Sequence, residues 1–400
     1  MTIVGSTYKE KCHYPHWNEL FGSGGRAVSA LAELEDNITF FTYLAKEEQK
    51  ILSLNPIFNE SHIALNISDI EQTVSFEYFN PLSIPQIYPS LDLINQNDNI
   101  MVRDDTILRY GFLEGDAVVH GNKVVYDPQS SSNPKGFYDN GSTADELIMI
   151  LNLREARLLS GYDEIEDIKN SLLNQNTIAL VIKLGPSGGV IITKEQTQYY
   201  SSYKSNKVFS IGTGDVFSAI FAHFWATKNE DLLVAAEYAS KAVSLYSANQ
   251  QLPIKYDYFE KDFEKVIENK SETNKTIYLA GPFFNMEQRW LVEEARNNLI
   301  GRGFNIFSPF HDVGLGSAEE VVNKDIEGIH NSEVIFALLD GLDTGTIFEI
   351  GYAIALKKKV VIYVENERDE DLKMMEGTNC IIENDFTSAI YKTIWSTLES

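Results

Sequence analysis

The stretch Asp340-Gly341-Leu342-Asp343-Thr344-Gly345-Thr346-Ile347-Phe348-Glu349-Ile350-Gly351-Tyr352-Ala353 decides how the C-terminal part of this chain is read. Ahead of it, Glu333 to Leu339 is a short, almost wholly apolar run, the pattern of a buried parallel strand. Behind it, Glu349 to Lys359 reads as a helix whose closing lysines, Lys357, Lys358 and Lys359, complement the negative end of the helix dipole. Asp343 and Glu349 therefore belong to a Gly-rich strand-to-helix turn, at the carboxyl edge of a sheet where α/β folds place ligands. A carboxylate in a first helical turn is held as an anion by free backbone N–H groups, which suits a nucleophile. Taken alone, D-x-G-x-x-x-E serves equally well as a filled turn and a decorated helix start, so its meaning depends on the pieces upstream.

Those pieces come in order. Tyr278-Leu279-Ala280-Gly281-Pro282-Phe283-Phe284 reads as a strand entering a tight turn with two aromatics, whose faces could stack on a nucleobase. Core packing is the plainer reading, and for Phe284 the preferred one. Ser308-Pro309-Phe310-His311-Asp312 reads as a loop after a strand, and Val322 to Ile329 as a helix carrying Asp325. An acid there could protonate a leaving base, or simply belong to a solvated helix face.

The combination Tyr278, Gly281-Pro282-Phe283-Phe284, Asp325 and Asp343-x-Gly345-Thr346-x-x-Glu349-x-Gly351-x-Ala353 resembles the nucleoside 2-deoxyribosyltransferase family across residues 276–400. The resemblance implies a Rossmann-like (flavodoxin-like) parallel-sheet domain that needs no cofactor. In it Glu349 attacks C1′ of a deoxynucleoside, Tyr278 orients Glu349, Asp325 handles the proton on the base, and Gly281 and Phe283 border the substrate. It implies also that Asp343 receives the sugar 5′-hydroxyl. Related hydrolases of deoxynucleoside 5′-monophosphates carry a small hydroxyl residue at that position, and a carboxylate would repel a phosphate dianion, so nucleosides are the expected substrates.

In the N-terminal part the strongest signal is Ser210-Ile211-Gly212-Thr213-Gly214-Asp215. Glycines at a helix start let backbone N–H groups approach an anion, and an acid after them can take a proton from an attacking hydroxyl. A Gly-rich turn with an Asp cap would look the same. Asn152 and Glu155, three apart after an apolar strand, could hold the water of Mg²⁺, and Val181 to Ile192 gives two strands joined by a Gly-rich turn.

In this order the motifs resemble the ribokinase-like (PfkB) family of carbohydrate and nucleoside kinases over the first two-thirds of the chain. The resemblance implies a three-layer α/β domain that uses ATP and Mg²⁺. Asp215 would be the base and the N–H groups of Gly212, Thr213 and Gly214 an anion hole. Lys183, Gly185 and Gly188 would lie near ATP, Asn152 and Glu155 near the metal, and Asp127 at a strand end. The chain departs from the family in three places. Phe209 replaces a frequent acid, which questions activation by a monovalent cation, Glu10 stands where a sugar-gripping Asp is common, and Arg26 where an Asn is common.

Four hundred residues exceed one ordinary core and suggest residues 1–265 as one domain, 266–275 as a charged linker and 276–400 as a second. The opening strand is expected at Thr2–Ser6, and Gly22-Ser23-Gly24-Gly25 as a loop feeding a helix. A net charge of -25 argues against nucleic acid and anionic membranes as partners. Two distant cysteines, Cys12 and Cys380, point to reduced thiols in a cytoplasmic protein, and neither a membrane-length apolar run nor a signal peptide is visible. The expectation is a bifunctional enzyme acting on nucleosides, nucleobases and a pentose, and the two resemblances imply a homo-oligomer. A pseudokinase scaffold beside an active glycosyl domain, and a nucleotide sensor without turnover, are the alternatives.

Overall fold

The computed structural model describes residues 1–130, 132–174, 176–267, 275–314 and 316–400. It divides into two compact units: residues 1–184, 188–205 and 209–264 form the first, and residues 185–187, 206–208 and 265–400 the second. Of the charged stretch expected as a linker, residues 268–274 lie outside the described residues, as does Ser131 of the polar loop after Asp127.

The first unit is built on a nine-stranded sheet. Its order is Thr197–Tyr200, Gly189–Thr193, Thr177–Lys183, Thr143–Asn152, Ala117–Asp127, Ile100–Tyr110, Thr2–Val4, Ile38–Ala45, Ile63–Ile70. The first two strands of that order run antiparallel to their neighbours and all other pairs are parallel. Central strands such as Leu147–Leu151 are buried on both faces, which is why they read as unbroken apolar runs. One face packs on the helices Gly22–Leu31, Thr213–Ala222 and Leu232–Asn249, the other on Leu153–Ser160 and Ile165–Leu172. This gives the three-layer arrangement expected. A separate four-stranded sheet, Trp17–Leu20, Lys9–Cys12, Ser75–Tyr78, Gln86–Tyr88, carries Glu10.

The glycines at 22 to 25 are not a loop but the first turn of the helix Gly22–Leu31. A Cβ at Gly24 would lie 2.6 Å from the Gly5 carbonyl oxygen and from the Phe40 ring, so glycine is required for this helix to press onto the first strand.

The second unit is a five-stranded, wholly parallel sheet ordered Asn305–Phe307, Thr276–Ala280, Val334–Leu338, Lys359–Tyr363, Ile381–Glu383. Numbered along this part of the chain, that order is 2-1-3-4-5, the flavodoxin-like order, with its topological switch between Thr276–Ala280 and Val334–Leu338. The helices Ala318–His330, Thr344–Ala355 and Asp369–Glu376 share one buried face with Tyr278 and Ala280.

Candidate active site

At the switch point the two strand ends approach closely: a Cβ on Gly281 would meet Leu338 at 3.1 Å. The next loop, Leu339 to Asp343, is held open by Gly341 (φ 86°) and by Leu342, which takes φ 49°. Asp340 accepts from the N–H groups of Glu365 (3.0 Å) and Asn366 (2.8 Å), and Glu367 accepts from Gly341 N at 2.8 Å, so the two loops pin each other.

The helix that follows starts earlier than its sequence suggests. It spans Thr344–Ala355, because Asp343 caps it: Asp343 Oδ2 accepts from Thr346 N at 2.9 Å and from Thr346 Oγ1 at 3.0 Å. Glu349 is therefore in the second turn, not the first, and the free N–H groups of the helix start are not what stabilises it. The closing lysines lie beyond the helix end, and Lys358 Nζ instead donates to the carbonyl of His330 at 2.8 Å.

What surrounds Glu349 is a phenol and two further acids. Tyr278, fully buried, donates its hydroxyl to Glu349 Oε1 at 2.7 Å. Glu349 Oε2 accepts from no described residue. Burial pushes the Glu349 carboxyl up to about 7; the Tyr278 hydrogen bond pulls it down, and the nearby charges of Asp325 and Asp343 push it up again. Burial raises Tyr278 too, with Glu349 adding to it. Asp325, on the helix Ala318–His330, has a buried Oδ1 with no hydrogen-bond partner among the described residues, and burial raises its pKa. An acid so placed is kept protonated more readily and has an oxygen to spare for a ligand.

The aromatic residues on this edge sort differently from expectation. Phe284 is 69% exposed and is no core residue. It stacks on Phe283 at 5.4 Å between ring centres, and Phe283 meets Phe310 at 5.2 Å. Ser308 to Asp312 is not an open loop: Pro309–Val313 closes a wide helical turn, with Ser308 N donating to Asp312 Oδ2 at 2.7 Å. Phe307, not singled out in the sequence, stacks on Tyr278 at 5.4 Å and fixes the ring that holds Glu349. Its place at the end of a three-residue strand carried no signal that could have separated it from core.

In the first unit, Asp215 is the third residue of the helix Thr213–Ala222, whose cap, Gly212 (φ 78°), offers no side-chain bond. Thr213 N donates to the Ser210 carbonyl at 3.3 Å, whereas the N–H groups of Gly214 and Asp215 donate to none of the described residues. Lys183 Nζ would lie 3.5 Å from a Cβ on Gly214. A helix start with open N–H groups beside an ammonium fits a phosphoryl group. Lys183 also pairs with Asp127 at 2.8 Å, and Ser218 Oγ donates to the same Asp127 oxygen at 2.7 Å.

Asn152 and Glu155 are not side by side on a helix face but form a reciprocal capping box at its start. Glu155 Oε2 accepts from Asn152 N at 2.8 Å and Oε1 from Ser130 N at 3.0 Å. Burial and then the charge of Asp127 push Glu155 up to about 7. With both oxygens already accepting, this pair fits Mg²⁺ through the ion's water. Among the described residues no group of three or more His, Cys, Asp or Glu gathers to bind a metal directly. Gly188 (φ 83°) is needed where it stands, since a Cβ would fall 2.2 Å from the Tyr200 carbonyl oxygen. Gly185 (φ 59°) opens the short helix Gly185–Ser187, which groups with the second unit.

Arg26 and Glu10 are matched to the sugar side from sequence, and in the structure Arg26 bridges Glu10 and Asp215. Arg26 Nη1 lies 2.6 Å from Asp215 Oδ2, and its two terminal nitrogens fork onto Glu10 at 3.2 and 2.5 Å. Three partners of this cluster were not legible in sequence: Gln129, Tyr246 and Tyr110.

Comparison with known proteins places both units. Residues 277–385 match the family described as nucleoside 2-deoxyribosyltransferase, and residues 119–253 the pfkB family of carbohydrate kinases. A nucleoside deoxyribosyltransferase of Limosilactobacillus fermentum is 30% identical, over 28% of this chain and 83% of that protein. The chain belongs to the nucleoside 2-deoxyribosyltransferase family. Its transferase unit is joined, in one chain, to a unit of the pfkB kind. The kinase-like unit is 22% identical to a ribokinase of Staphylococcus aureus strain COL, over 61% of this chain and 89% of that protein. A fructokinase of Vibrio cholerae O395, solved with fructose, ADP and calcium, aligns at TM-score 0.49 and 15% identity, over 65% of this chain and 98% of that one. No helix among the described residues is long and apolar enough to cross a membrane.

Proposed function

We propose that the transferase unit moves a 2-deoxyribosyl group between nucleobases through a covalent ester on Glu349. The observation that carries this reading is the Glu349 carboxyl at the switch point, with Tyr278 on one oxygen at 2.7 Å and no partner among the described residues on the other. In the first half-reaction a Glu349 oxygen forms a bond to C1′ as the C1′–N bond breaks, and the electron pair goes to the departing base. Asp325 supplies the proton that the base nitrogen takes up. A second base then attacks C1′, the ester breaks, Glu349 regains its carboxylate and the proton returns to Asp325. Two inversions give retention, and water in place of the second base gives hydrolysis.

Asp343 uses Oδ2 as the helix cap, which leaves Oδ1 to accept the sugar 5′-hydroxyl. The Phe283, Phe284 and Phe310 rings, on the same edge, offer faces to the base. Nucleosides are the substrates, because a 5′-phosphate would confront the Asp343 carboxylate. Incubation of the protein with a deoxynucleoside and a different free base tests this: a new deoxynucleoside and a glycosyl adduct on Glu349 by mass spectrometry are expected. Faster cleavage of deoxynucleoside monophosphates than of nucleosides would reject the substrate assignment.

The kinase-like unit would hold the phosphates of Mg·ATP at the N–H groups of Gly214 and Asp215 and at Lys183, with Gly188 at the adjoining turn. Glu155 and Asn152 would meet the metal through water. When bound, ATP supplies an activated phosphoryl group. Asp215 stands where the pfkB resemblance puts the base for an acceptor's proton.

A further inference from the structure

Each oxygen of the Asp215 carboxylate already holds a donor. Oδ2 accepts from Arg26 at 2.6 Å and Oδ1 from Gln129 Nε2 at 2.8 Å, while the Tyr110 hydroxyl donates to the Asp215 backbone carbonyl at 2.8 Å. Arg26 is itself fully buried, forked onto Glu10, and donates from Nε to the Tyr246 hydroxyl at 3.1 Å. Its guanidinium also lies against the first residue of the phosphate cradle: a Cβ on Gly212 would sit 2.2 Å from Arg26 Cζ and Nε. The guanidinium thus fills the space between the base and the cradle. Phosphoryl transfer needs an acceptor hydroxyl in that space, giving its proton to Asp215 as its oxygen bonds to the γ-phosphorus and the bond to ADP breaks.

We propose that Arg26 is a built-in occupant of the acceptor position, so that the kinase-like unit binds nucleotide phosphates and transfers none to a sugar hydroxyl. The inference rests on the reading of Gly212 to Asp215 as the phosphate cradle and base. A neutral hydroxyl finds the guanidinium where it would have to stand, and a donor already on each Asp215 oxygen. An anionic acceptor fares no better, because two carboxylates against one guanidinium leave the cluster with a net charge of about −1. Displacing Arg26 would leave Glu10 and Asp215 as buried acids without their common partner, a state far less favourable than the closed cluster. Burial already raises the pKa of both acids, and Arg26 is the main influence pulling each back.

The test uses the full chain. Mg·ATP binding is measured by calorimetry, and ADP formation is followed with a panel of pentoses and nucleosides against a blank without acceptor. The wild-type protein should bind ATP and form no more ADP with acceptor than without. The double variant Glu10→Gln with Arg26→Gln removes one charge of each sign, so the cluster keeps its net charge while the acceptor space opens. It should gain at least tenfold acceptor-dependent ADP formation, lost again when Asp215→Asn is added. Acceptor-dependent ADP formation by the wild type overturns the proposal whether or not the double variant folds. A folded, ATP-binding double variant that gains nothing also overturns it. Failure of wild type and variant alike to bind ATP rejects the phosphate reading, and the inference with it.

Discussion

Asp215 in the kinase-like unit and Glu349 in the transferase unit are acids of the same kind of place: each stands within two turns of a helix start, and burial raises the pKa of each. They differ in how their oxygens are used. Asp215 accepts from an arginine and a glutamine, one to each oxygen, whereas among the described residues Glu349 accepts from one phenol, on one oxygen. Raised proton affinity is therefore shared, and what separates the two is the space in front of the carboxylate, filled by a guanidinium at Asp215 and by one phenol on one oxygen at Glu349.

The largest effect that could break this contrast is chemical. Glu349→Gln should lower base exchange by roughly a thousandfold or more, as expected for loss of a nucleophile, and abolish the adduct seen by mass spectrometry. Retained exchange would mean that the open oxygen is not the attacking one.

Stability should change with opposite sign at the two acids' sites. Arg26→Ala leaves two buried carboxylates without a cation and should cost about 3–5 kcal/mol, read as a fall in denaturation midpoint. Glu349→Gln should instead stabilise the protein at pH 8, by roughly 2 kcal/mol after allowance for the carboxyl's partial exposure. Because the folded state holds the Glu349 proton up to about pH 7 while the unfolded chain releases it near 4.5, the wild type loses stability as pH rises between these values, and the loss is complete above about 7. The gap between wild type and Glu349→Gln should be closed below about pH 4, grow between about pH 4.5 and 7, and stay fully open above pH 7.

A finer test concerns the phenol. Base exchange should fall as pH drops through about 7, since only ionised Glu349 attacks. Tyr278→Phe removes the hydrogen bond that lowers this value, so the acid limb of the rate profile should move to higher pH and the rate at pH 6 fall by about tenfold. An unmoved limb would show that Tyr278 acts only as packing. The smallest effect is expected at the cap: Asp343→Ala should cost about 1 kcal/mol of stability and raise KM for nucleosides more than it lowers kcat.

How far the sequence reached can be judged from single residues. Tyr278, Asp325, Asp343 and Glu349 were named from spacing and resemblance, and the structure brings Tyr278 to Glu349 across 71 positions. The helix start was misplaced because the Asp343 cap, a local hydrogen bond, competes with the apolar pattern as a boundary signal. Phe284 is exposed where the sequence suggests core, because an aromatic residue in a turn has the same signature whether it faces core or solvent. The spacing of Asn152 and Glu155 suits a capping box as well as the water of a metal, and the folded helix start shows the cap.

By itself the sequence determined what is local and periodic: apolar runs that can only be buried strands, glycines where a helix must touch a strand, and acids at helix starts. It carried the two-family character of the chain through ordered motifs. Only the tertiary structure decided which oxygens remain open, because Arg26 and Asp215 are 189 positions apart, and no periodicity along the chain encodes which buried charges meet. Burial makes every such meeting strong, and the partner it supplies determines whether an acid reacts or only binds.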